Sequence, residues 1–179
     1  MMESQEKGWL GNMLDWGRRR QLGTSEILYG NAVELAREPA FFRDHGVADT
    51  VDGRFDALAL VVALVMRRLK GCGDEGVELS QQLFDSMFSD MDLSLREMGA
   101  GDIGVSKRVR VMAEAFMGRL DAYATALDNG DREALAAAIG RNLLRDEGPA
   151  SQHLVDFVLA LEARLSALDD AGLLAGRLG

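Results

Sequence analysis

Cysteine, proline and histidine are scarce in this 179-residue chain, and aromatic residues make up only 6% of it. One cysteine, Cys72, excludes an internal disulfide framework and a cysteine-ligated zinc cluster, and it suits a reducing compartment. The two histidines, His45 and His153, lie in separate segments with no Cys or His neighbour at ligand spacing, so no metal site is expected. With prolines only at Pro39 and Pro149, long stretches are free to be helical. The longest unbroken apolar run, Ala57 to Met66, covers ten residues, about half of the roughly 20 that span a bilayer, and it reads as a core helix. The N-terminus lacks the basic-then-apolar order of a secretory signal and the acid-poor pattern of a transit peptide, so a cytoplasmic protein is expected.

What is present is ordinary for a globular protein: 47% apolar and 27% charged residues. The net charge of -9 makes bulk nucleic-acid binding repulsive. Helical periodicity runs through the chain, and no period-two strand pattern interrupts it. Residues 24–37 carry Leu28, Ala32, Leu35 and Ala36 on one face, with Thr24 or Ser25 as cap and Pro39 as stop. Phe41 and Phe42 follow as core plugs. From Arg54 to Lys70 the pattern is apolar nearly all round, which places that helix at the centre, with Gly71 and Gly73 ending it. Further amphipathic helices are expected over 77–98, from the cap Ser106 to Leu127, over 131–145 and over 150–168. The sequence therefore predicts an all-α fold: a compact orthogonal domain, residues 23–179, of six to seven helices around the apolar helix 54–70. An amphipathic segment, residues 1–22, precedes it.

Chemistry-bearing patterns are thin. Gly99, Gly101 and Gly104 match the dinucleotide fingerprint, but a helix feeds them where the mechanism needs a strand, so they read as a helix-to-helix turn. Asp85, Asp90, Asp92 and Glu97 are acidic enough for a hard cation, yet they spread around a helix and Asp92 has Arg96 four residues on, so a solvated face is expected. No nucleophile–base pair or nucleophile elbow appears. Neither a catalytic residue nor a cofactor is expected, and the chain reads as one that works by binding.

Two clusters are candidate binding surfaces. Lys107, Arg108 and Arg110 are expected in the first turn of a helix, where cations oppose the macrodipole and ask for an anionic neighbour. That neighbour is either the acidic helix just upstream or a partner surface or lipid phosphate. Trp9, Met13 and Trp16 fall at i, i+4 and i+7, with Arg18, Arg19 and Arg20 directly after them. This segment suits a membrane surface, a partner groove or the domain's own core. Arg67, Arg68 and Lys70 close the central helix with charges that complement its dipole.

The middle of the chain resembles the ubiquinol-cytochrome c chaperone family, assembly factors of the respiratory cytochrome bc complex. The carrying residues are Tyr29, the stretch PAFFRDHGVADTVDGRFD from Pro39 to Asp56, RRLK from Arg67 to Lys70, and the block LFDSMFSDMDLSLREMGAGDIGVSKRVRVMAEAFMGRLDAY from Leu83 to Tyr123. Relatives often carry proline at the place of Ser106 and an aromatic at that of Met117. The resemblance implies a bacterial, non-enzymatic helper of newly made cytochrome b or another bc-complex subunit. Its place would be the cytoplasm or, peripherally, the inner face of the inner membrane. It also implies a ribosome or small partner protein as further contacts. Arg67, Arg68, Lys70, Lys107, Arg108 and Arg110 are the expected partner-binding residues, with the Trp9 to Arg20 segment as a membrane or partner contact. The alternative is a helical protein that binds an amphiphile or anionic lipid at a membrane periphery.

Overall fold

The computed structural model describes residues 23–99 and 101–179, and among these every regular element is helical. Eight α-helices follow one another: α1 (Thr24–Ala36), α2 (Pro39–Arg43), α3 (Val51–Leu69), α4 (Gly73–Glu97), α5 (Asp102–Asp128), α6 (Arg132–Ile139), α7 (Gln152–Ser166) and α8 (Asp170–Leu174). A 3₁₀ turn, Lys70–Cys72, joins α3 to α4, and a π turn, Gly140–Leu144, extends α6. The all-α expectation holds. The N-terminal segment with Trp9, Met13, Trp16 and Arg18 to Arg20 lies outside the described residues.

Helix α3 is the axis of the core. Every residue from Asp56 to Met66 is buried, as its all-round apolar pattern requires, and helices α1, α4, α5 and α7 pack about it. It begins three residues before the expected start. Thr50 is its N-cap, its hydroxyl accepting from the Gly53 amide at 3.1 Å. Gly53 is required by close approach: a Cβ there would lie 1.9 Å from the Ala48 carbonyl oxygen. Phe41 is fully buried edge-on to Phe157 at 5.0 Å, and Phe42 lies half-buried under the Arg54 guanidinium.

Several boundaries differ from the sequence expectation. Helix α4 starts at Gly73, four residues early. Asp74 and Glu75 suit the positive end of its dipole, and Gly76 passes so close to the Leu69 carbonyl that no side chain fits. The cap of α1 is Gly23, with the Glu26 carboxylate accepting from its amide at 2.9 Å, so Thr24 and Ser25 lie inside the helix. Ser106 is no cap either, because α5 starts at Asp102. The C-terminal tail docks: α8 buries Leu173, Leu178 is also buried, and the Asn31 amide donates to the Gly176 carbonyl at 2.7 Å.

The two histidines, distant in sequence, stack at 4.7 Å between ring centroids, and His45 also faces Phe157 at 4.3 Å. The His45 Nδ1 is buried without a hydrogen-bond partner among the described residues. Burial, followed by the neighbouring His153, pushes the His45 pKa below its ordinary value, with Asp44 opposing.

Two outcomes are expected. Gly53→Ala costs about 1–3 kcal/mol in chemical denaturation, because the Ala48 backbone has to move. For His45, the unfolded chain takes up the proton more readily than the folded one. Stability is therefore present above the ordinary imidazole range and falls as pH drops from about 7 to about 5.5. Thermal melts across that window should show a shallower fall for His45→Phe.

Candidate functional site

Helix α5 is anchored unevenly. Its buried residues are Val105 and then Phe116, Leu120, Tyr123 and Ala126, so no residue from Ser106 to Ala115 is buried. Beside that stretch a groove of about 610 Å³ opens between α1 and α5, above the first half of α3 and the last turns of α4. Its floor and walls are apolar, with Val33, Phe55, Leu58, Leu95 and Met112 facing it. Val51, Met98 and Val111 stand at its mouth and are 71%, 62% and 54% exposed. Large apolar side chains gathered at the mouth of one cavity differ from scattered surface residues, and they mark a binding site.

The rim is cationic. Arg37, Arg54, Lys107, Arg108, Arg119 and Arg145 line the groove against two carboxylates, Asp52 and Asp90, in a chain whose net charge is -9. Most of these charges are already engaged. Arg54 pairs with Asp49 at 2.7 Å, and Arg37 with Glu34 at 3.6 Å. Asp90 accepts the Tyr29 hydroxyl at 2.7 Å, which ties α1 to α4. Burial together with this bond holds the phenol well above its usual pKa. Lys107 and Arg108 are exposed and make no ion pair among the described residues.

One end of the groove is closed by a buried charge cluster. The Asp56 carboxylate, 0% exposed, accepts from Arg119 at 2.5 Å and from the Arg145 Nε at 2.6 Å. Arg145 sits at φ +55°, left-handed backbone that costs a non-glycine residue roughly 1–2 kcal/mol, and its bonds to Asp56 offset that strain. Tyr123 is buried close by, and burial raises its pKa.

The expected binding residues divide by position. Arg67 bridges Asp128 and Glu162, at 2.7 and 2.8 Å, and so fastens α3 to α5 and α7. Arg68 bonds Asp170 and the Leu168 carbonyl, both at 2.6 Å, holding α8. Cys72 shares this contact, 3.4 Å from Asp170, and burial raises its thiol pKa while Arg68 opposes the rise. Lys70 is exposed, and Arg110 approaches Glu114 at 3.9 Å. Of the six, Lys107 and Arg108 alone line the groove. Because α5 starts at Asp102, they lie beyond its first turn, and the expected conflict with the macrodipole is not there. Asp102 takes that turn and bonds Arg96, which also holds Asp92 at 2.6 Å. Of the acidic residues singled out on α4, Asp90 and Asp92 are thus engaged, and Asp85 accepts from Gln81 at 3.0 Å. No group of three or more potential metal ligands occurs among the described residues. Gly99, at φ +86°, lies in a turn between two helices, as expected.

Sequence reasoning missed Asp56, Arg119 and Arg145. A lone carboxylate at the head of the ten-residue apolar run was the available signal, since a charge in that position needs buried partners.

Fold and groove together give an all-α protein with a cation-rimmed apolar cleft. The ubiquinol-cytochrome c chaperone family model matches residues 43–178, and the chain belongs to that family. It is also similar to a solved structure described as the Cbp3 homolog from Brucella abortus. The two share 37% identity and superpose with a TM-score of 0.76, over 92% of this chain and 93% of the other. No curated protein sequence matches it at a significant level.

Replacing Asp56 by Asn leaves the largely buried Arg119 guanidinium without its carboxylate, while the half-exposed Arg145 keeps Asp52 at 3.3 Å. A loss of about 3–5 kcal/mol in urea denaturation is expected, several times that of removing the exposed Arg54–Asp49 pair.

Proposed function

We propose that this chain is an assembly chaperone that holds newly made cytochrome b, at the cytoplasmic face of the inner membrane, while the cytochrome bc complex is put together. Family membership supports the class of activity. The observation that carries the mode of action is the groove, where exposed apolar side chains at the mouth meet two cations, Lys107 and Arg108, that pair with no carboxylate among the described residues. A membrane protein awaiting partners exposes apolar helix surface with polar ends, and this cleft offers a surface to each. The chaperone acts by binding, with residues 23–179 as its working domain. No described helix is long and apolar enough to cross a membrane, so contact with the bilayer is peripheral and the segment with Trp9 and Trp16 is its natural carrier.

The cleft volume also falls in the range of small-molecule sites, which favours a second reading: a carrier of an amphiphile or anionic lipid. Flotation with anionic vesicles separates the two. Vesicle binding by the purified chain, lost on Trp9→Ala with Trp16→Ala in cells that keep an intact bc complex, would establish the lipid reading.

For the chaperone reading, the gene is deleted and membrane cytochrome b is measured by redox difference spectra, with the other respiratory complexes as controls. Cytochrome b should fall severalfold while the controls hold. Lys107→Glu with Arg108→Glu should fold normally and restore little of it. Unchanged assembly on deletion would sink the proposal.

A further inference from the structure

Along α5, Gly104, Arg108, Val111, Ala115 and Gly118 succeed one another at spacings of four, three, four and three residues, and all five are exposed. This alternation keeps one stripe on one side of a helix and is the spacing at which helices interlock side by side. Arg108, Val111 and Ala115 belong to the groove wall. Among the described residues nothing requires the two glycines. A Cβ on either would meet no atom within 4 Å, and neither has the positive φ that calls for glycine. Gly118 lies inside a 27-residue helix, where glycine is a poorer helix former than alanine. A glycine that neither a turn nor an internal contact requires leaves room for another backbone to come close.

We infer that the groove receives an amphipathic helix of the client, packed lengthwise on this face of α5, with a carboxylate near the end that meets Lys107 and Arg108. The inference rests on the chaperone reading and names its mode of contact. Helical walls present no sheet edge, so an extended peptide would find no backbone partners there. From residue 104 to residue 118 the seam runs about 21 Å at 1.5 Å per residue, room for about four turns of a partner helix. Phe55, Leu58 and Leu95 receive its apolar face. Charge selects the flank: Lys107 and Arg108, without an ion pair among the described residues, favour an acidic partner, whereas a second copy would bring the same cations to the seam.

The test combines two measurements on the full chain. Gly118→Ala should raise Tm by about 2–4 °C, and Gly118→Leu should fold, since space is open on both counts. A photoreactive residue in place of Ala115, activated in growing cells, should then form adducts with cytochrome b at positions three or four residues apart. In the Gly118→Leu background the yield should fall about tenfold or more. Adducts with a second copy or with lipid alone, adducts at a two-residue repeat, or a yield unaffected by Gly118→Leu would each overturn the inference. The two proposals fail separately. If gene deletion leaves the bc complex intact, the chaperone reading fails. If deletion abolishes the complex and Gly118→Leu restores it in full, that reading stands and the helix seam fails.

Discussion

A carboxylate with no access to water obliges the rest of this molecule to come to it. Asp56 lies one turn into the most buried helix of the fold, and a lone charge there would cost several kcal/mol. Arg119 reaches it from α5 and Arg145 from the end of the π turn, so three parts of the chain meet at one point. Arg145 caps the π turn in left-handed backbone, its N–H donating to the Gly140 carbonyl, and its bonds to Asp56 add to what holds it there. The same contact sets the closed end of the groove and fixes which part of α5 lies against the core.

The groove is a consequence of that anchoring. From Phe116 onward α5 is drawn in by fully buried side chains and by Arg119, whereas from Ser106 to Ala115 it touches the core only through half-buried side chains such as Val109, Met112 and Ala113, and stands beside an open cleft. On the far side, the Tyr29 bond to Asp90 keeps α1 and α4 together, so the cleft has two walls. Phe55 and Leu58 form its floor because they lie on the face of α3 that α1 and α5 leave uncovered at this end. An apolar surface held open between fixed walls is preorganised, and a partner that enters it does not first have to order it.

The fold was largely legible because helical periodicity is a local signal. The all-round apolar pattern of 54–70 identified the central helix, and helical spacing from Leu79 through Leu83 and Met87 to Leu95 forms the buried face of α4. Met98 continues that spacing yet is exposed at the groove mouth, since periodicity cannot tell a core position from the lip of a cleft. Phe88 was overlooked for the opposite reason, its burial being settled by Phe84 and Phe116 around it. Lys107 and Arg108 were legible as cations in search of an anion, but their physical reason was misjudged. The helix begins four residues before Ser106, and Lys107 and Arg108 line the open cleft without an ion pair among the described residues. Arg67 and Arg68 show the limit of composition: a run of basic residues looks alike whether it faces a partner or, as here, fastens α5, α7 and α8 to the core.

The central claim, that client protein occupies the cleft between α1 and α5, can be read along the backbone by hydrogen–deuterium exchange of the full chain with and without detergent-solubilised cytochrome b. The account predicts slowed exchange in α1, in the last turns of α4 and over residues 104 to 118, with the α2 and α7 side unchanged. Protection confined to the α2 and α7 side, or none anywhere at saturating cytochrome b, would contradict it.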